Sequence, residues 1–294
     1  MNLYHAARAR PRHYWYVVRG LLGDCGMFGS LNPPVFIVGA PNSGTRALGA
    51  AVSLSPDLED RSEARVLWDK DFHQRNNDTL KTAEDAKRAD VLRLRGNFCY
   101  YQWKSGKRVV LNRHPENSLR IHFIKKIFPS AKIIHIIRDG RAVVCSNYRS
   151  VMERPERLAR PFGSFLRPPG WRERVDRPLI EQLAYLWNAT VLYASREGRK
   201  YADDYREVFY EALPENGAAI VTDLWRWLGV SHSDRRFEKM PHFENRNYKW
   251  PAELTREQVA VVEQVAREGL DYFGYAGGSS GGRDDRSGAG HGAA

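Results

Sequence analysis

Short apolar runs alternate with helix-period segments along most of this chain. Val35-Phe-Ile-Val38 ends in a Gly/Pro/Asn turn. Lys107-Arg-Val-Val-Leu-Asn112 is a second run, Ala131-Lys-Ile-Ile-His-Ile-Ile137 a third, and Tyr205 to Tyr210 a shorter fourth. Runs of this length bounded by turn signals read as strands, and the near-continuous apolarity of the third reads as a strand buried on both faces. A further extended piece is expected around Ala64-Arg-Val-Leu-Trp68. Between these runs, helices are expected at Thr45–Leu54, Lys81–Arg93 and Pro115–Phe128. In the last of these, Leu119, Phe123 and Ile127 recur on one face with Ile124 beside them. Asp139-Gly140 turns the chain into another helix, to about Val151, and Leu179–Arg199, Asn216–Leu228 and Thr255–Phe273 complete the set. Strand–helix alternation of this kind predicts an α/β fold, a three-layer α/β/α stack around a central parallel sheet. Ligands then bind at the carboxyl ends of the strands.

Breaks in the pattern suggest the organisation. Residues 1–33 form an N-terminal lead-in closed by Asn32-Pro-Pro34, residues 34–275 one domain, and residues 276–294 a Gly/Ser-rich tail with the composition of a disordered segment. Residues 76–107 are polar and fit an insertion, and residues 153–178 hold five prolines among many arginines, a loop-rich excursion. No internal repeat is visible.

Composition narrows the partners. The chain of 294 residues carries a formal net charge of +11, which implies an anionic partner such as a nucleotide, an acidic glycan, a nucleic acid or a membrane surface. Three cysteines without a C-x-x-C pair argue against a disulfide framework or a zinc site and suit a reducing compartment, so the expected location is cytoplasmic. No apolar run approaches the roughly 18–20 residues that a spanning helix needs. The N-terminal Arg8, Arg10 and Arg12 with Tyr14-Trp-Tyr-Val-Val18 leave peripheral membrane contact open, although a packed helix is the simpler reading.

Two stretches carry chemistry. In Phe36-Ile-Val-Gly-Ala-Pro-Asn-Ser-Gly-Thr-Arg46 an apolar strand turns through Gly39 to Gly44 into a helix, and successive backbone N–H groups there make an anion cradle. The nucleoside-triphosphate version of such a loop spells G-x-x-x-x-G-K-[ST]. Thr45 stands where its Lys would be, and Arg46 where its Mg²⁺ ligand would be. The second stretch, Ile136-Ile-Arg-Asp-Gly-Arg-Ala-Val-Val-Cys-Ser146, places Arg138 at the end of a buried strand and Ser146 within the following helix. Together they could fix a phosphate through charge-assisted hydrogen bonds, or Arg138 could instead be half of an Arg–Asp salt bridge.

With these motifs in this order, the chain resembles the sulfotransferases that use 3′-phosphoadenosine 5′-phosphosulfate (PAPS), which share the P-loop NTPase-like fold. Pro41-Asn-Ser-Gly-Thr-Arg46 is similar to their 5′-phosphosulfate loop, and Ile137 to Ser146 to their 3′-phosphate motif. Leu111 to Arg120 and Phe128 to Lys132 are similar to the segment leading into that strand, and Val208-Phe-Tyr-Glu-Ala-Leu213 to a Y-E-D-L element. The resemblance implies that Pro41, Asn42, Ser43, Gly44, Thr45 and Arg46 hold the 5′-phosphosulfate and that Arg138 and Ser146 hold the 3′-phosphate. It also implies Tyr210 near the adenine and Lys249 as a last clamp over the donor. It departs from the family at Asn42, where a Lys or Arg usually stabilises the leaving oxygen; Arg46 is the candidate substitute. Ser62-Glu-Ala-Arg-Val-Leu67 lies at the same distance from the loop as the catalytic-Glu segment of protein-tyrosine sulfotransferases, which makes Glu63 the candidate general base, with His114 and His73 as rivals. Arg65 and Arg113 are candidates for the sulfuryl oxygens or an acidic acceptor.

The implied reaction is in-line transfer of SO₃ from PAPS to an acceptor hydroxyl, with no metal required. Two other classes stay on the table: a P-loop kinase or weak nucleotide binder, and a non-catalytic binder of polyanions. The kinase class is disfavoured by Thr45 and Arg46. Against nucleic acid as a partner, no helix-turn-helix, zinc or RNA-recognition signature is present. The acceptor is not legible; an acidic glycan, a lipid and a small metabolite are all compatible with the arginines of residues 150–180.

Overall fold

The computed structural model describes residues 18, 22, 26–62, 78–232 and 238–276. Glu63, Arg65, His73, the extended piece expected at 64–68 and the tail from residue 277 lie outside the described residues, as do residues 1–17, 19–21 and 23–25 of the N-terminal lead-in.

The apolar runs form β1 (Val35–Val38), β3 (Val109–Asn112), β4 (Lys132–Ile137) and β5 (Tyr205–Phe209), joined by a short strand, β2 (Leu58–Asp60), that the pattern had not revealed. All pairings are parallel, in the order β2-β3-β1-β4-β5. β1 lies between β3 and β4, so the connections leave it in opposite directions, and its carboxyl end is a topological switch point where ligands bind in sheets of this kind.

Period-2 alternation sorts the sheet's side chains into two cores. Val35 and Ile37 pack with Leu48 and Val52 of α1 (Thr45–Val52) and Val221 and Trp225 of α6 (Leu213–Leu228). Phe36 and Val38 face the other way, onto Leu94 and Phe98 of α2 (Arg88–Ser105) and Phe123 and Ile127 of α3 (Ile121–Ile127). A third cluster joins α4 (Gly140–Met152), α5 (Leu179–Gly198), α7 (Arg256–Val265) and α8 (Arg267–Tyr272) beside β4. The three-layer α/β/α expectation holds. Among the described residues, no helix is long and apolar enough to cross a membrane.

Several helix boundaries differ from expectation, each for a local reason. The α2 helix starts at Arg88 rather than Lys81, because Thr82 and Asp85 bond each other's side chains and backbone (Thr82 N to Asp85 Oδ2, 2.7 Å) and hold a turn there. The helix expected from Pro115 is a 3₁₀ turn, Pro115–Leu119, then α3; Arg120 at the junction has φ −137°. Pro214 in its first turn lets α6 begin at Leu213, ahead of Asn216. The last helix breaks at Ala266 into α7 and α8. Three residues after Ala266, the Gly269 N–H bonds Asn188 Oδ1 at 2.7 Å.

Candidate functional site: an anion cradle at the end of β1

The turn after β1 is held open by its own backbone. Gly39 donates its N–H to Ser118 Oγ, and that hydroxyl donates back to Gly39 O, both at 2.9 Å. A Cβ on Gly39 would lie 2.6 Å from Ile136 O, so only glycine fits between β1 and β4. Asn42 (φ 67°) and Gly44 (φ 99°) both adopt the left-handed conformation, which asparagine and glycine tolerate best. Gly44 caps α1 with no side-chain acceptor, so among the described residues the first-turn N–H groups are unserved by any side chain. Ser43 Oγ is buried and has no hydrogen-bond partner among the described residues. An orphaned hydroxyl beside open helix-start amides is what a phosphate or sulfate oxygen would satisfy.

Arg138 follows β4 directly and reaches this turn. It is 6% exposed. Its Nη1 donates to Asn42 O at 3.1 Å, its Nε to Asn247 Oδ1 at 2.8 Å, and its guanidinium lies 4.3 Å from the centre of the Tyr210 ring. Among the described residues, no carboxylate pairs with it. The neighbouring Asp139 is committed to Arg141 through Nε (3.1 Å) and Nη2 (2.9 Å), so the salt bridge that the sequence allowed at this strand end belongs to Arg141. Burial pulls the Arg138 guanidinium below its ordinary pKa, opposed by Tyr210 and by the Glu211 and Asp139 carboxylates. An arginine stays charged through such a shift, and a buried cation without a counter-ion invites an anionic ligand.

The other expected residues fall into place unevenly. Pro41 is buried in the turn and Thr45 opens α1. The Asn42 amide is taken by Asn147, with Nδ2 to Oδ1 at 2.6 Å, while Asn147 Nδ2 returns to Pro41 O at 3.2 Å. Arg46 is exposed on α1 and has no ion pair among the described residues. Ser146 is half-buried on the second turn of α4, next to Asn147. The Tyr210 ring closes on Gly44, where a Cβ would come within 2.8 Å of it, and its hydroxyl donates to Glu244 O at 2.6 Å. Lys249 is half-buried in a 3₁₀ turn, Asn247–Lys249; the residue of that turn that bonds Arg138 is Asn247. His114 is buried and spends Nδ1 accepting the Glu116 N–H at 3.4 Å. Arg113 runs across α1 at Gly49 to pair with Asp60 at 3.2 Å. Sequence reasoning missed Ser118, Asn147, Asn247 and Glu211. Only Glu211 had a signal, its place in the Tyr210-Glu-Ala-Leu213 element.

Comparison with known proteins agrees with this geometry. The sulfotransferase family is matched over residues 33–234. Among curated relatives, the ω-hydroxy-β-dihydromenaquinone-9 sulfotransferase Stf3 of Mycobacterium tuberculosis is 28% identical over 58% of this chain and 42% of its own length. Protein-tyrosine sulfotransferase 1 of Danio rerio is 28% identical over 69% of this chain and 54% of its own. The chain thus spans about half the length of these relatives. In fold, it is similar to the crystal structure of the sulfotransferase STF9 of Mycobacterium avium (TM-score 0.54, 13% identity, 87% of this chain and 83% of that one). STF1 of Mycobacterium tuberculosis is similar too (TM-score 0.51, 14% identity, 86% and 81%). With the cradle after β1, the buried cation after β4 and the family match spanning both, the chain belongs to the sulfotransferase family.

Proposed function

We propose that the protein transfers the sulfuryl group of PAPS to a hydroxyl-bearing acceptor. The observation that carries this reading is the buried Arg138, which among the described residues pairs with no carboxylate and touches the backbone of a turn whose Ser43 hydroxyl is unserved. Two anion-hungry positions so joined suit a ligand with phosphoryl groups at both ends of one nucleoside. In this reading the turn from Pro41 to Arg46 receives the 5′-phosphosulfate, and Arg138 with Ser146 receives the 3′-phosphate. Tyr210 borders the nucleoside and Lys249 closes over it. The names of the two curated relatives specify an ω-hydroxy menaquinone derivative and protein tyrosine, which favours a hydroxyl as the acceptor group here. A carbohydrate, a lipid and a small metabolite all carry one.

Catalysis in this reading is positioning and charge stabilisation. Glu63 takes the acceptor proton; His114 is the weaker candidate because its Nδ1 already accepts a backbone N–H. As the S–O bond to the donor breaks, charge builds on the 5′-phosphate oxygen. The turn's N–H groups and Arg46 stabilise it, since the Asn42 amide is held by Asn147. Labelled-PAPS transfer to a panel of glycan, lipid and phenolic acceptors tests the activity. Arg46→Ala should cut turnover by about 10²-fold, the cost of losing one oxyanion-stabilising group, while 3′,5′-ADP still binds. Unchanged turnover would remove Arg46 from this role, and binding without any transfer would leave a nucleotide-binding protein.

A further inference from the structure

Arg138 is oriented by a neutral amide where a carboxylate would be the ordinary partner. Its Nε–H donates to Asn247 Oδ1 at 2.8 Å, and Asn247 Nδ2 donates in turn to Glu211 Oε1 at 2.7 Å. Glu211 is itself fixed from two further directions. Oε1 also accepts the Asp139 N–H at 3.0 Å, and Oε2 accepts the Tyr275 hydroxyl at 2.8 Å. Asn247 is held as well, through its N–H to Asn245 Oδ1 at 3.0 Å, and is 5% exposed. The acid that organises Arg138 is therefore one residue removed from it.

We propose that Asn247 is a positioning residue for donor recognition: it passes the orientation set by Glu211 to Arg138 while keeping the carboxylate off the guanidinium, so that the cation's charge stays available to the 3′-phosphate. The inference rests on the donor reading given above. A carboxylate at Nε would orient Arg138 equally well, because charge-assisted bonds are the stronger ones, but it would neutralise the group meant for the ligand. An amide has one acceptor and one donor end, and here the acceptor faces the cation and the donor faces the anion, the only order that satisfies both neighbours. Nη2 of Arg138 is left without a protein acceptor among the described residues, facing no competitor for a phosphate oxygen.

The test exchanges the two groups. Asn247→Asp with Glu211→Gln keeps the net charge and moves the carboxylate onto Arg138. Calorimetry with 3′,5′-ADP and 5′-AMP on the full chain reads the worth of the 3′-phosphate as the ratio of the two affinities. Wild type should favour 3′,5′-ADP, and the exchanged pair should lower that ratio about tenfold or more with 5′-AMP binding retained. Asn247→Ala, a milder change that creates no new charge, should lower the same ratio several-fold and covers the case in which the exchanged pair does not fold. If wild type prefers 3′,5′-ADP and either folded variant keeps the full preference, or loses both nucleotides equally, the spacer role is wrong. If wild type shows no preference for the 3′-phosphate, the donor reading itself fails.

Discussion

Arg138 and Arg141 sit three residues apart at the end of one strand and are partnered in opposite ways. Arg141 is tied to Asp139 and Glu263, donates from Nη2 to Tyr275 O as well (3.2 Å), and lies 4.6 Å from the centre of the Trp250 ring. Those contacts pin the C-terminal helices to the sheet and leave no charge to spare. Among the described residues, Arg138 bonds an amide and a carbonyl and faces the Tyr210 ring, with no carboxylate paired to it, so its charge is unspent. The same contrast separates the two left-handed residues of the turn. Asn42 tolerates its φ, whereas Gly44 has Tyr210 against it. Gly44→Ala therefore meets both backbone strain, about 1–3 kcal/mol, and a Cβ at 2.8 Å from the Tyr210 ring. The expected outcome is a melting temperature lower by roughly 3–10 °C and loss of 3′,5′-ADP stabilisation, read by thermal unfolding with and without nucleotide. A variant that melts and binds like wild type would mean that Tyr210 yields freely and does not shape the cradle.

At the scale of elements, the strands were legible because burial on both faces leaves an apolar run, and the turn was legible because left-handed φ selects Gly and Asn. β2 left no such trace: Leu58-Glu-Asp60 is three residues at the sheet edge with one buried side chain. Asn147, Asn247 and Ser118 were invisible for a different reason. Their roles are hydrogen bonds to residues far away in sequence, which no local periodicity records. β4 holds a further consequence. His135, at full burial, bonds the Tyr205 hydroxyl through Nδ1 at 2.6 Å and has no partner for Nε2 among the described residues. Burial pushes its pKa down from 6.5 to about 4, against the pull of Glu207 and with the help of Arg199. The folded value lies below the unfolded one, so the unfolded chain binds the extra proton. Stability from this residue is complete above about pH 6.5 and drains as the pH falls toward 4. Between pH 7.5 and 4.5 the loss should be about 2–3 kcal/mol. His135→Asn should be less stable than wild type at pH 7.5 and lose most of that gap at pH 4.5 in urea unfolding. An equal gap at both pH values would mean that His135 is charged or hydrated in the fold.

Over the whole molecule, the binding turn, the strand end and Tyr275 form one hydrogen-bonded assembly, although they are far apart in sequence. Tyr275 is the last link. Its N–H bonds Leu270 O at 2.6 Å, its carbonyl accepts from Arg141, and its hydroxyl reaches Glu211 at 2.8 Å, and Glu211 bonds the amide that orients Arg138. A hydrogen bond to a charged group is worth about 1.5–3 kcal/mol. Two such bonds end in Tyr275, at Glu211 and at Arg141, so the chemistry of a distant nucleotide site should depend on where the chain stops. A chain ending at Ala276 keeps every one of these contacts and should match the 294-residue chain in melting temperature and in 3′,5′-ADP affinity. One ending at Gly274 should melt roughly 3–10 °C lower and bind 3′,5′-ADP more weakly, because Glu211 then loses an anchor and Arg138 its fixed orientation. Tyr275→Phe in the 294-residue chain separates the two effects: it removes the hydroxyl that bonds Glu211, so nucleotide affinity should fall while the Arg141 contact and most of the stability remain. Equal behaviour of all three chains would place Tyr275 outside the donor site's support and leave Asp139 and Asn247 as the anchors that Glu211 needs.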